Sequence, residues 1–374
     1  MVKRKISSFQ FLILVIFFTV GTSILVVPSS LAMDSKQDAW ISAIVGTLFG
    51  SLIIWFYTSM ALWFPSLTYV QLNEKILGKW LGKFTSILFI CMCLLFVIVL
   101  ISYAGYFLNT VILPRTPMQV INVLNCIVLV IAVRLGLETF SKAAEIFIFV
   151  FLFLLLVLVT FLIPEIDVKN IQPLFQASSA NIATSSLKLI AVSSMNAIAL
   201  LMIFPVFVKN HKTSRTCFLL GNILGGIIII VITALCIFVL GPNITTMENY
   251  PSYEMAKQIN IGEFVSRIEA FMAELWVIGL FFKSIIYFFA ALVGISQIFQ
   301  LKNYQSLTYP LGMIVCVFSF TLFANFNDQQ DYSRSTDISL SIVICLFIPI
   351  ILTIVYFIRK NHLKKEDISD QKAN

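Results

Sequence analysis

Phe9 to Leu31 reads FQFLILVIFFTVGTSILVVPSSL, and Leu189 to Val208 reads LIAVSSMNAIALLMIFPVFV. Each is long enough to be a hydrophobic helix, and each is interrupted, the first by Gly21-Thr22-Ser23 and the second by Ser193-Ser194-Met195-Asn196. Backbone that leaves the helix at membrane depth loses hydrogen bonds that lipid cannot replace. It survives only where it lines a protein cavity or holds a ligand. Two interrupted runs in corresponding positions therefore point to a binding site near the bilayer midplane.

The rest of the chain is consistent with a membrane setting. Hydrophobic residues make up 59% and charged residues 11%, with a mean hydropathy of +0.98, whereas soluble domains carry roughly 25% charge. A bilayer-spanning helix needs about 20 mostly apolar residues. Ten runs qualify, at 9–31, 40–63, 84–112, 118–135, 143–163, 188–208, 216–240, 264–293, 307–325 and 338–358. The expectation is an all-α polytopic membrane protein, a single transmembrane domain over 1–374, with a short tail of mixed charge at 359–374 that reads as unfolded.

The formal net charge is +7, and its placement carries the information. Lys3, Arg4 and Lys5 precede the first run, and Lys75, Lys79 and Lys83 the third. Arg134 and Lys142 flank the start of the fifth, Lys209, Lys212 and Arg215 that of the seventh, and Arg359 and Lys360 follow the tenth. All fall on one side, which by the positive-inside rule is the cytoplasm and holds both termini. No basic soluble domain is left for nucleic acid. The first apolar run is about twice the ~7–15 residues of a signal-peptide core, so it is expected to be retained as a span.

Cys91, Cys93, Cys126, Cys217, Cys236, Cys316 and Cys345 all lie in apolar runs and form no CxxC pair, so they read as small buried hydrophobes. His211 and His362 lie in basic segments away from acidic clusters. No metal site, cofactor or catalytic constellation is expected, and the chain does not read as an enzyme.

The runs divide into helices 1–5 over 9–163 and helices 6–10 over 188–358, joined by the polar stretch 164–187. An odd number of spans per half forces the second half to enter the membrane in the opposite sense. The result is a LeuT-type 5+5 inverted repeat with helices 1 and 6 broken.

At the first break Gly21 frees the backbone, Thr22 and Ser23 supply hydroxyls, and a half-helix resuming near Ile24 would aim its partly positive amide end at a carboxylate. The alternative is close helix packing through small residues. At the second break Ser193, Ser194 and Asn196 offer donors and acceptors. The eighth run carries Arg267, Glu269, Glu274 and Lys283. Arg267 and Glu269 belong near the outer interface, and Glu274 about 10 Å deeper, where it is either a structural ion-pair member or a partner for a ligand amine or proton. Lys283 is expected to snorkel toward the cytoplasm, with a gate ion pair or a built-in substitute for a coupling cation as the alternatives. Tyr103 in the third run, with Phe271 and Trp276 in the eighth, could wall a pocket.

Ile261-Gly262-Glu263-Phe264-Val265-Ser266-Arg267-Ile268-Glu269-Ala270-Phe271, followed by Trp276 and Phe281-Phe282-Lys283, resembles the eighth-helix signature of the spore germination receptor B-subunit family. The opening Ile6-Ser7 to Phe11 with Gly21-Thr22, and Leu201-Met202-Ile203-Phe204-Pro205, resemble it as well. The resemblance implies the amino acid/polyamine/organocation superfamily and a nutrient-sensing subunit in the spore inner membrane. It also implies A-type and C-type subunits as partners and a small-molecule nutrient, such as an amino acid, as ligand. The family pattern has Gly-Glu where this chain has Met195-Asn196, a neutral amide in place of an acid. Two rivals use the same spans: a proton-coupled amino acid permease, and a structural membrane subunit that binds nothing.

Overall fold

In the computed structural model the described residues are 5–259 and 267–373, the side chains of 334 and 363–373 excepted. Lys3, Arg4 and the signature residues Ile261–Ser266 fall outside them. α1 (Ser8–Val20) starts at a capping box in which the Ser7 side chain accepts from the Gln10 amide and the Gln10 side chain accepts from the Ser7 amide, satisfying two donors the helix leaves open. It stops at Gly21, whose amide still donates to the Phe17 carbonyl at 2.8 Å. The chain resumes as α2 (Ser23–Ser35), so the first break lies where Gly21-Thr22 stand in the sequence.

The remaining order is α3 (Ala39–Ala61), a short amphipathic α4 (Tyr69–Leu77), α5 (Lys79–Phe107), α6 (Met118–Leu135), α7 (Leu137–Leu162) and α8 (Ser179–Ile190). Then come α9 (His211–Met247), α10 (Pro251–Lys257), α11 (Glu269–Ile298), α12 (Thr308–Thr321), α13 (Phe326–Asp331), α14 (Asp337–Ser341) and α15 (Ile348–Ala373). Among the described residues, eight helical stretches are long and apolar enough to cross a membrane. The difference from ten has two causes. The first break splits one run into halves, of which Ser8–Val20 is short and the other merges with α3, and α12 has only 14 residues.

α8 does not break and restart as α2 does. It widens into a π turn at Ala191–Met195 and then tightens into a 3-10 stretch at Asn196–Met202, which corrects the expectation of a simple interruption at Ser193–Asn196. The tenth run behaves similarly, with a π turn at Ile342–Phe347 and another just before it at Tyr332–Thr336. Such turns inside α-helices occur frequently at functional sites. Among the described residues, the connections between the seventh and eighth runs and between the ninth and tenth are largely helical. α9 continues past a kink at Gly241, where φ of 76° suits glycine, α10 follows, and α13 fills the second loop. The tail is helical through Ala373 rather than unfolded; residues 359–373 contain neither Gly nor Pro to stop α15.

The most apolar windows of Ser179–Met202 and Glu269–Ile298 are 83% buried, those of α6 and α7 28%. The sixth and eighth segments are thus central, packed with α1 and α2, and α6 and α7 turn apolar side chains such as Leu124, Phe149 and Phe153 outward, as lipid contact requires. At one end of the bundle the Ile6 amide donates to the Phe207 carbonyl and the Lys209 amide to the Ile6 carbonyl, tying the residues before α1 to the end of the sixth segment.

Candidate functional site

A cavity of about 150 Å³ lies between the two interrupted segments. Its walls follow helical faces. α2 contributes Val26, Ser29, Ser30 and Met33 after Thr22, α5 contributes Phe96, Val99, Leu100 and Tyr103, and the sixth segment contributes Lys188, Val192 and Asn196. α11 adds Lys283 and Tyr287, α13 adds Gln330, the π turn after it Ser333, and α14 Asp337 and Ile338. Spacings of three and four residues recur because one face of each helix is presented.

Lys283 is the junction of the site. It is 2% exposed, and its Nζ donates to Thr22 Oγ1 at 3.2 Å and to the Val192 carbonyl at 3.0 Å. One ammonium therefore joins the first break to the π turn of the sixth segment, 5.2 Å from the centre of the Phe18 ring. This corrects the expectation that Lys283 snorkels to the cytoplasm. Its stem runs across Gly21 instead, where a Cβ would stand 2.5 Å from Lys283 Cδ. Gly279, one turn earlier on α11, packs against the Gly21 backbone. Small residues at both positions let α11 approach closely enough for the ammonium to reach the Val192 carbonyl.

The other expected residues divide. Thr22, Tyr103 and Asn196 line the cavity; Asn196 Oδ1 also accepts from Ser341 Oγ at 2.9 Å. Gly21, Ser23 and Ile24 stand behind it, with Ser23 Oγ buried without a hydrogen-bond partner and the Ile24 carbonyl accepting from Ser252 Oγ of α10 at 2.7 Å. Ser193 and Ser194 turn away. Ser193 Oγ donates to the Leu189 carbonyl of its own helix at 2.7 Å, and Ser194 Oγ to Asn222 Oδ1 of α9 at 3.0 Å. Val192 and Asn196 share a face that the two intervening serines do not.

Phe271 and Trp276 do not form the wall. Trp276 is fully buried against Phe107, ring centroids 4.9 Å apart, in a cluster with Tyr250 and Tyr253. The aromatic wall consists of Phe96, Tyr103 and Tyr287. Glu274 is exposed on α11, and Arg267, also exposed, lies 3.8 Å from Glu269. These three charges are outside the cavity. Sequence reasoning missed Asp337, Lys188 and Tyr287. Asp337 stands one residue before the tenth apolar run as drawn from 338, and an ionisable group at that position was the available signal.

Two polar pairs lie among the lining residues and their neighbours. Lys188 Nζ is 2.7 Å from Asp34 Oδ2, linking the sixth segment to α2, and Gln330 Nε2 donates to Asn249 Oδ1 at 3.1 Å. Deeper, the Tyr57 hydroxyl of α3 bonds to the carbonyls of Met195 and Cys345, binding the sixth and tenth segments together. Among the described residues no group of three His, Cys, Asp or Glu is placed to hold a metal ion. The cavity is a mostly apolar enclosure with the anchored ammonium of Lys283, the ion-paired ammonium of Lys188 and the carboxylate of Asp337 on its lining.

This geometry defines a multi-pass helical membrane protein of the LeuT-type transporter fold. A solved structure of Mhp1, a nucleobase-cation-symport-1 family transporter in a closed conformation with bromovinylhydantoin bound, matches with a TM-score of 0.69 over 96% of this chain and 80% of that one, at 11% identity. The chain belongs to the spore germination protein family, whose model matches residues 5–329. It is 27% identical to spore germination protein KB of Bacillus subtilis (strain 168) over 369 residues, covering 98% of each chain. It is 24% identical over 358 residues to the putative spore germination protein YfkT of the same organism, covering 94% of this chain and 96% of the relative.

Proposed function

We propose that the chain is the nutrient-sensing membrane subunit of a spore germinant receptor, holding a small nutrient, an amino acid, in the cavity between the broken segments. The observation that carries this reading is the enclosure itself: a small, mostly apolar space with a buried ammonium, that of Lys283, at the junction of two irregular helices, a favoured form and place for a ligand site. Thr22, Asn196, Tyr103 and Lys283 are the polar groups that would orient the ligand. The chain is read as two five-helix halves, 9–163 and 188–358, with both termini cytoplasmic, in the spore inner membrane beside A-type and C-type subunits. Ligand binding shifts the balance between two arrangements of the bundle, and the partners respond to the shift.

The test is to fill the cavity. In spores carrying this chain as the sole B-type subunit, Val99→Trp is expected to abolish the response to nutrient while leaving the subunit present in the membrane. An unchanged response would refute the placement of the site. A second reading, an amino acid permease coupled to protons, draws on the likeness to a transporter fold. Uptake of labelled amino acid into proteoliposomes by the isolated chain, abolished by an uncoupler, would support it over a pure receptor.

A further inference from the structure

Of the charged side chains that line the cavity, Lys188 is already neutralised by Asp34 at 2.7 Å. Lys283 and Asp337 remain, and neither is spent. An ammonium has three donors, and the hydrogen bonds of Lys283 to Thr22 and to the Val192 carbonyl use two. Asp337 Oδ1 is buried without a hydrogen-bond partner. A buried carboxylate oxygen lacking a donor is strongly unfavourable unless something supplies one. The two groups come from different elements: Lys283 is fixed at the helix junction by α11, and Asp337 opens α14 just after a π turn. The rest of the lining combines apolar side chains such as Val26, Val99, Leu100 and Ile338 with uncharged polar ones such as Tyr103, Ser29 and Asn196, so apart from the paired Lys188 it offers no competing charge.

We propose that this cavity reads both charges of a zwitterion: the ligand's carboxylate takes the remaining donor of Lys283, and its ammonium meets Asp337. The inference rests on reading the cavity as the ligand site and deepens it. It assigns Asp337 as the amine-recognising residue and selects α-amino acids with apolar side chains over sugars, nucleosides and inorganic ions. Lys283 is then both a strut between the two breaks and half of the ligand clamp.

The experiment uses the full-length chain in lipid nanodiscs, following the thermal unfolding midpoint with titrated probes: a mixture of proteinogenic L-amino acids, the matching decarboxylated amines, the matching deaminated carboxylates, and a mixture of neutral hexoses and nucleosides. A ligand that binds the folded state raises the midpoint. The amino acid mixture is expected to raise it most. Asp337→Asn should weaken the response to amino acids by roughly 30-fold or more and leave that to the carboxylates within about twofold. Asp337→Glu, which keeps the charge, should retain part of the amino acid response. If the wild type responds equally to carboxylates and amino acids, or Asp337→Asn leaves the amino acid response intact, Asp337 is only a structural counter-charge for Lys283 and the inference is overturned. Stabilisation by the neutral mixture alone, abolished by Val99→Trp, would overturn the zwitterion and leave the ligand site standing. No response to any probe would remove both.

Discussion

In the first segment the helix stops at Gly21 and restarts at Ser23, whereas in the sixth it widens over Ala191–Met195 and tightens over Asn196–Met202 without restarting as an α-helix. The first break is made by a residue with no side chain, and the space so freed is occupied by the stem of Lys283. The second is made by a change of winding, its freed polar groups taken up by neighbours: the Met195 carbonyl by Tyr57, Ser194 by Asn222 and Asn196 by Ser341. One break depends on a void and the other on a network. The lesson is that the same functional feature, exposed backbone polarity at membrane depth, can be supported by opposite means, and the two should fail differently.

The largest effect is expected from the void. Gly21→Leu places its Cβ 2.5 Å from Lys283 Cδ and 3.2 Å from the Phe18 carbonyl oxygen. It should destabilise the fold by about 3 kcal/mol, the upper part of the overpacking range, and abolish the nutrient response. Normal thermal stability of this variant in nanodiscs would mean the close approach is not needed.

Lys283→Met keeps the stem and removes the ammonium. The Val192 carbonyl and Thr22 hydroxyl each lose a donor, for an expected loss of roughly 1–3 kcal/mol. Hydrogen exchange sharpens the comparison. Exchange should rise around residues 17–25 and 189–196 together, because one group serves both breaks; a rise confined to either segment would show that the bridge is not shared.

Asn196→Leu tests the network. Ser341 loses its acceptor within the protein interior, for about 1 kcal/mol of stability, and the nutrient response should fall further than stability alone accounts for, since Asn196 also lines the cavity. Equal losses in the two measurements would reduce Asn196 to a structural role. The smallest effect is expected at Ser193, whose hydroxyl bonds back to its own helix. Ser193→Ala should change the unfolding midpoint by less than about 0.5 kcal/mol equivalent, with the nutrient response intact. A lost response would place Ser193 at the ligand after all.

Lys283 and Glu274 show where sequence reasoning stops. Depth along α11 placed Glu274 in the middle of the membrane and Lys283 near the cytoplasm, and the structure reverses their importance. At ~100° per residue, nine residues turn a helix by about two and a half revolutions, so the two lie on opposite faces. If Lys283 faces the cavity, Glu274 faces away. The same geometry separates Val192 and Asn196 from Ser193 and Ser194. Asp337 was hidden for another reason: it stands at the edge of an apolar run, where a polar residue reads as loop.

Composition and hydropathy determined the membrane class, because lipid admits only helices and closed barrels with internally satisfied backbones, and these apolar runs have the length of spanning helices. The first break was legible too, since Gly21-Thr22-Ser23 interrupts an otherwise apolar run. What only the tertiary structure decided was azimuth and partnership: which face of α11 turns inward, which groups the second break recruits, and that Asp337 joins Lys283 at one cavity. Those outcomes depend on contacts between segments far apart in sequence, Thr22 with Lys283 and Asn196 with Ser341. Periodicity along one helix fixes which residues share a face but not which neighbour that face will meet.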